Sequence, residues 1–182
     1  PALKGMDAHD KVIYMNTFTK SIAPSMRISY MVLPEALLQR YRKELSFYAC
    51  TVPNLEQYAL AEFIRSGGLQ RHINRMRSRY KARRDALLHA LRSSSLHECI
   101  GISGVEAGMH LLLCVKNGMN EKQLAENALK QGVRVYGLSD YYGNESERCP
   151  AAAVILGYCG IHTSQIPEAV QALERAWTAE SK

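Results

Sequence analysis

Two short apolar runs, Val12 to Met15 and Ile28 to Leu33, flank a polar loop that carries a single lysine, Lys20. The runs are β-branched and aromatic enough to form strands, and near-continuous apolar strands suggest a sheet covered on both faces. That places Lys20 beside a buried sheet, in a loop otherwise made of hydroxyls, small residues and a proline. A lysine in such a position is costly unless it is paired, solvated or covalently used.

The length of 182 residues fits one large domain or two small ones. Hydrophobic residues make up 47% of the chain, enough for a sizeable core, and disorder is not expected. A net charge of +6 permits acidic ligands or a nucleic acid without requiring either. The cysteines, Cys50, Cys99, Cys114, Cys149 and Cys159, are odd in number with no C-x-x-C pair and no secretory signal. Reduced thiols in a cytoplasmic protein are the expectation. No histidine pair has helical metal spacing, and no apolar run reaches membrane-spanning length. The chain starts at Pro1, without an initiator Met, and reads as a piece of a longer protein.

The loop has a definite pattern: Thr17 three residues before the lysine, Thr19 next to it, then Ala23-Pro24, and Arg27 seven residues on. This resembles the lysine segment of fold-type I pyridoxal 5′-phosphate (PLP) proteins, the aspartate aminotransferase superfamily. The run from Thr17 to Pro34 resembles more closely still the aminotransferase-like domain of MocR/GabR-type regulators of the GntR superfamily. The resemblance implies that Lys20 forms the Schiff base with PLP and that Arg27 clamps its phosphate. It makes Thr17 the hydroxyl partner and Thr19 a weaker one. An amine that condenses with an aldehyde must be neutral at attack, which burial or a neighbouring cation favours. A phosphate dianion calls for a fork of N–H donors and short hydroxyls. On spacing alone, a solvated loop ammonium at Lys20 and a surface cation at Arg27 fit as well.

Gly5 and Asp7 to Asp10 mark a turn before the first strand, and His9 is a solvated turn residue. Pro34-Glu35 opens a helix to about Phe47, with an apolar stripe of Leu37, Leu38, Tyr41 and Leu45. Tyr48 to Pro53 breaks it, and Tyr48 is expected in the core. Asn54 is the expected N-cap of a helix from Leu55 to Arg65, closed by Ser66-Gly67-Gly68. A long helix from Leu69 to about Arg92 follows, with a basic face of Arg71, Arg75, Arg77, Arg79, Lys81, Arg83 and Arg84. Such a row could track a phosphate backbone, but no aromatics interleave for base readout. A solvated face whose arginines pair with acids of a neighbouring domain or subunit is the simpler expectation. In the resembling family this segment is the long helix that links the large PLP domain to the small C-terminal one.

Ser93-Ser94-Ser95 marks a boundary. Beyond it, strands are expected at Cys99 to Ile102, Met109 to Val115, Val133 to Tyr136 and Ala153 to Tyr158. Helices are expected from Glu121 to Lys130, after Asn117-Gly118-Met119-Asn120, and from Pro167 to Thr178. That order suggests a small α+β domain with a mostly antiparallel sheet. His110 is expected as a hydrogen-bonded structural residue and Trp177 as core. Tyr141 and Tyr142, in Tyr141-Tyr142-Gly143-Asn144, could line a cleft.

The overall expectation is an aspartate aminotransferase-like α/β fragment, residues 1–92, followed by a small α+β domain, residues 93–182. The ring-stacking aromatic and the pyridine-pairing acid of the family cannot be assigned; only Asp7 and Asp10 precede Lys20, in no matching motif. Transaminases of the superfamily carry an arginine for the substrate carboxylate where this chain has Ile155. An isoleucine supplies no donor to a carboxylate. Arg134 and Arg148 are weaker candidates for that contact. The resemblance therefore implies a PLP-binding sensor of an amino-acid-like effector, acting as a homodimer, with DNA contacted through a domain outside this chain. A PLP-dependent aminotransferase is the alternative.

Overall fold

The first apolar runs form a hairpin in the computed structural model, which describes residues 2–106, 108–142 and 150–178. β1 (Tyr14–Thr17) pairs antiparallel with β2 (Ser29–Val32), with Tyr14 opposite Val32 and Thr17 opposite Ser29. The expected sheet covered on both faces is not what these strands make. Every β2 residue is exposed, and Met15 keeps 72% of its surface. The reason lies in the local packing. The chain divides by contacts into two compact units, residues 1–76 and 77–182, and in the first only Ile28 and Leu60 are buried hydrophobics among the described residues.

Before β1, the turn predicted from Asp7 to Asp10 is held by those two acids. Asp7 accepts the N–H groups of Val12 (2.8 Å) and His9 (3.2 Å). Asp10, in a left-handed conformation (φ 50°), binds Lys4 and also the N–H of Glu35 (2.6 Å). That last bond caps α1 (Glu35–Glu44), whose own N-cap residue, Pro34, has no side-chain acceptor. α1 stops at Glu44, short of Phe47, and its apolar stripe stays partly open: Leu37, Tyr41 and Leu45 are exposed. Tyr48 is also exposed, its ring against Phe47 at 4.5 Å, and does not enter a core.

α2 (Asn54–Arg65) starts one residue earlier than expected, with Pro53 at the N-cap and Asn54 inside the first turn. Proline fixes φ near the value a helix entry needs, so the boundary moves one residue back from Asn54. Gly67 takes the left-handed conformation (φ 71°) that ends α2, and α3 (Gly68–Ser93) follows at once. A Cβ at Gly68 would lie 2.5 Å from the Phe63 ring, so this close turn needs glycine there.

The contact division falls inside α3, whereas the serine run at 93–95 is the sequence boundary. The later turns of α3 explain the position, because Leu87 and Leu91 belong to the core of the second unit. That unit carries a four-stranded, fully antiparallel sheet in the order β3 (Ile100–Ser103), β4 (His110–Val115), β6 (Ala153–Gly157), β5 (Tyr136–Gly137). Along β4, Leu111, Leu113 and Val115 are buried and alternate with more open positions, the period of a strand with one covered face. α4 (Glu121–Lys130) and α5 (Ile166–Thr178) complete the unit. α4 opens with the capping box of Asn120 and Gln123. Trp177 is 2% exposed and donates its indole N–H to the Leu124 carbonyl (3.0 Å).

β5 is shorter than expected. The N–H of Val133 is committed to the Ala128 carbonyl (3.0 Å), closing α4 around Gly132 (φ 81°), so Val133 cannot join a ladder. His110 is exposed, and no hydrogen bond to its ring is found among the described residues; the ring lies against Gly157. At the end of a strand it faces water, and the bonded structural role expected of it is not seen. No helix among the described residues is long and apolar enough to cross a membrane.

Candidate functional site

The connection from β1 to β2 folds around two threonine hydroxyls. Phe18 continues the ladder by donating its N–H to the Ile28 carbonyl (2.9 Å), and the chain then turns, with the N–H groups of Ser21 and Ile22 on the Phe18 carbonyl. Thr19 donates its hydroxyl proton to the Met26 carbonyl (2.8 Å), pinning the two limbs of the loop. With that proton committed, the Thr19 oxygen accepts from Thr17 (3.0 Å). Thr17 in turn accepts the Thr19 N–H (3.2 Å) and has the Ile28 carbonyl as a second, longer contact (3.2 Å).

Strand alternation decides which side chains meet. Thr17 and Ser29 are register partners, so their side chains project from the same side of the hairpin. Thr19 and Arg27, in the loop beyond the strand ends, line the same hollow. The result is one cavity of about 300 Å³ lined by Thr17, Thr19, Lys20, Arg27 and Ser29. The structure thus brings together all four residues singled out from the sequence.

Lys20 and Arg27 are exposed, and neither has a hydrogen-bond or ion-pair partner among the described residues. The covered sheet expected beside Lys20 is not formed within this chain, where the neighbouring hairpin is open. What the cavity offers chemically is one amine, one guanidinium and three hydroxyls converging on a space without an acid. That set attracts an anion and leaves an amine free to react. Ser29 was missed in the sequence. Its signal was the period of two from Arg27, which becomes readable once the register opposite Thr17 is known.

The other side of the same strands is apolar. Phe18, Ile28, Tyr30, Leu60, Ile64 and Leu69 line a hollow of about 640 Å³, and the Phe18 and Tyr30 rings stack at 5.1 Å. Burial pushes the Tyr30 hydroxyl up from its ordinary value, with Tyr14 beside it adding to the effect.

The remaining candidates lie elsewhere. His9 is exposed in its turn. Tyr141 is 71% exposed and Tyr142 half-buried; Gly143, Asn144, Arg148 and Cys149 lie outside the described residues. Ile155 is half-buried on β6, opposite Leu112 and Tyr136. Arg134 is exposed in the segment before β5. Cys50, Cys99, Cys114 and Cys159 are free thiols, and burial pushes the Cys159 thiol up.

On the basic face of α3, Arg71, Arg83 and Arg84 bind mostly backbone carbonyls of this chain. Arg71 donates to Ser66 (3.0 Å), Arg83 to Cys159 and Arg84 to Val105 (3.2 Å); Arg84 also pairs with Asp85. These groups end loops at the helix, which accounts for part of the basic row without a nucleic acid.

Comparisons with known proteins show what the chain is similar to. The chain is 43% identical to the HTH-type transcriptional regulator YdeL of Bacillus subtilis, over 97% of its own length and 37% of that protein's. It is 34% identical to the probable rhizopine catabolism regulatory protein MocR of Rhizobium meliloti, over 98% of its length and 36% of MocR's. It therefore spans little more than a third of these relatives. Among solved structures it resembles the kynurenine aminotransferase of Pyrococcus horikoshii, crystallised with PMP, with a TM-score of 0.81 and 28% identity over 99% of this chain and 44% of that one. A multiple substrate aminotransferase from Thermococcus profundus gives the same TM-score, 0.81, at 26% identity over 98% of this chain and 43% of that one. Residues 2–173 match the family model of class I and II aminotransferases. The chain belongs to the class I and II aminotransferase family.

Proposed function

We propose that this chain is the C-terminal part of the PLP-binding, effector-sensing domain of a MocR/GabR-type transcriptional regulator, with Lys20 as the amine that holds the cofactor covalently. The observation that carries the reading is the single cavity shared by Lys20, Arg27, Thr17, Thr19 and Ser29, in a chain 43% identical to an HTH-type regulator. In this reading residues 1–92 belong to the large PLP domain and residues 93–182 to the small one.

The residues present fit the cofactor's two reactive ends. An unpaired guanidinium and short hydroxyls suit a phosphate, and an unpaired amine suits an aldehyde. When bound, PLP supplies an electrophilic carbon and an electron-withdrawing ring. Arg27 would hold the phosphate by its fork of N–H donors. Thr17, whose hydroxyl now donates to Thr19, would donate to a phosphate oxygen, while Thr19 would stay on the Met26 carbonyl and keep the loop closed. Lys20 would supply the amine that holds the cofactor's aldehyde carbon, and an amino-acid-like effector would exchange with it there. That exchange shifts the balance between two domain arrangements. DNA contact belongs to a part of the protein outside this chain, and the protein acts as a homodimer.

The second reading is a PLP-dependent aminotransferase, favoured by the likeness to two aminotransferase structures at TM-score 0.81. Ile155 weighs against it, since the side chain at that strand position offers a substrate carboxylate no donor. Turnover separates the two. The full-length protein, loaded with PLP, is incubated with a panel of amino acids and a keto-acid acceptor. A sensor changes its absorbance with its effector but yields no more than one equivalent of keto acid. Sustained multiple-turnover production would refute the sensor reading.

A further inference from the structure

Away from the lysine loop, the unit of residues 77–182 has a second cavity with the makings of a ligand site. It encloses about 230 Å³ and is lined by residues of five segments: α3, the 132–134 segment, the strand end at 156–157, Ile161 and α5. Its walls are hydrocarbon. Leu87, Leu156, Val170 and Leu173 are all buried residues, yet they border open space here. Gly132 and Gly157 stand in the lining without side chains to fill it.

One polar side chain lines this cavity. Arg134 is exposed, and no hydrogen-bond or ion-pair partner for it is found among the described residues. A planar fork of donors at the edge of an apolar hollow recognises a carboxylate that carries a hydrocarbon tail. An adjoining cavity of about 370 Å³ shares Gly132, Val133, Ile161 and Ala169, so the tail has room beyond the first chamber. Glu168 lines that second chamber, where Arg175 donates to Gln131 (3.3 Å), and its negative charge disfavours a dianion.

We infer that the cavity between Arg134 and Leu173 binds a small amphipathic monocarboxylate, with its carboxylate on Arg134 and its tail against Leu87, Leu156 and Leu173. The site shares no lining residue with the lysine cavity. It gives Arg134, considered above for a ligand carboxylate, a carboxylate to bind within its own unit. A ligand held here would brace the 132–134 segment against α5 and so stabilise the folded unit by mass action.

The test is a titration of the full-length protein, labelled at Ile, Leu and Val methyl groups, with isocaproate and with its uncharged amide. Isocaproate should shift the methyl signals of Leu156, Ile161, Val170 and Leu173 saturably, and the amide should bind about tenfold or more weakly for loss of the charged contact. R134Q, at an exposed position, should bring the acid down to the level of the amide and leave the amide unchanged. A169F should abolish both by filling the shared wall. K20A should change neither. Shifts that do not saturate, an acid and amide of equal affinity, or binding lost in K20A and retained in R134Q would each overturn the assignment.

Discussion

Replacing Arg27 by glutamine separates the two halves of the lysine cavity. Arg27 is exposed and has no partner among the described residues, so its loss should alter folding stability by no more than about 0.5 kcal/mol. A phosphate bound there loses its charged donor, and a hydrogen bond to a charged group contributes about 1.5–3 kcal/mol. That corresponds to a roughly 10- to 150-fold rise in Kd for PLP. Pyridoxal has the same aldehyde and no phosphate, so its binding should not respond to R27Q. The assay is a pair of absorbance titrations, PLP and pyridoxal, on the wild-type chain and the variant. If R27Q weakens both ligands equally, or leaves PLP binding untouched, Arg27 does not hold the phosphate and the site is misassigned.

Thr17 and Thr19 should behave differently in the same titrations. T17V removes a proton that can turn to the phosphate and should weaken PLP about tenfold; T19V should cost less, since its proton already lies on the Met26 carbonyl. In the second unit, W177F should destabilise by about 1–3 kcal/mol in urea unfolding, combining a lost indole bond to Leu124 with a smaller ring in a packed core. G137A should destabilise by no more than about 1–3 kcal/mol in the same assay, the cost of the bonds from Leu138 and Ser139 that the Glu121 carboxylate gives up as it moves aside. Asp7 is held below its ordinary value chiefly by the Val12 N–H, and Asp10 chiefly by Lys4 with the Glu35 N–H second. Both therefore bind fewer protons folded than unfolded, and unfolding takes up protons in acid. Their stabilising effect is present above the ordinary value of 3.8 and is lost as pH falls through the lower folded values. Carboxyl NMR titration should find both midpoints below 3.8, and a normal midpoint for Asp10 would remove its role as the cap of α1.

The helices were the most legible part of the chain. α4 was readable to the residue because its signals are local: Asn120 and Gln123 at its start and a left-handed Gly132 at its end. The succession of strands and helices in the second unit was legible along the chain, but the order of strands in the sheet and the extent of β5 were not. The helix-closing bond of Val133 looks, in sequence, like the first residue of a strand. Near the site, the resemblance to PLP proteins singled out Thr17, Thr19, Lys20 and Arg27, which spacing alone left open, whereas Ser29 required the hairpin register. Burial was least legible in residues 1–76. The apolar pattern of β1, β2 and α1 describes faces suited to a core, and among the described residues of this unit no such core forms around Lys20, Tyr48 or Leu37. The Asp10 cap on α1 was hidden for a similar reason, since donor and acceptor are far apart in the chain.

The most direct test of the account is where the cofactor attaches. The chain is mixed with PLP, reduced with borohydride and mapped by peptide mass, with K20A alongside. The account predicts a visible absorbance band that K20A lacks and a reduced label on the peptide carrying Lys20. A label spread over Lys4, Lys11 and Lys43, or a band of equal strength in K20A, would contradict it.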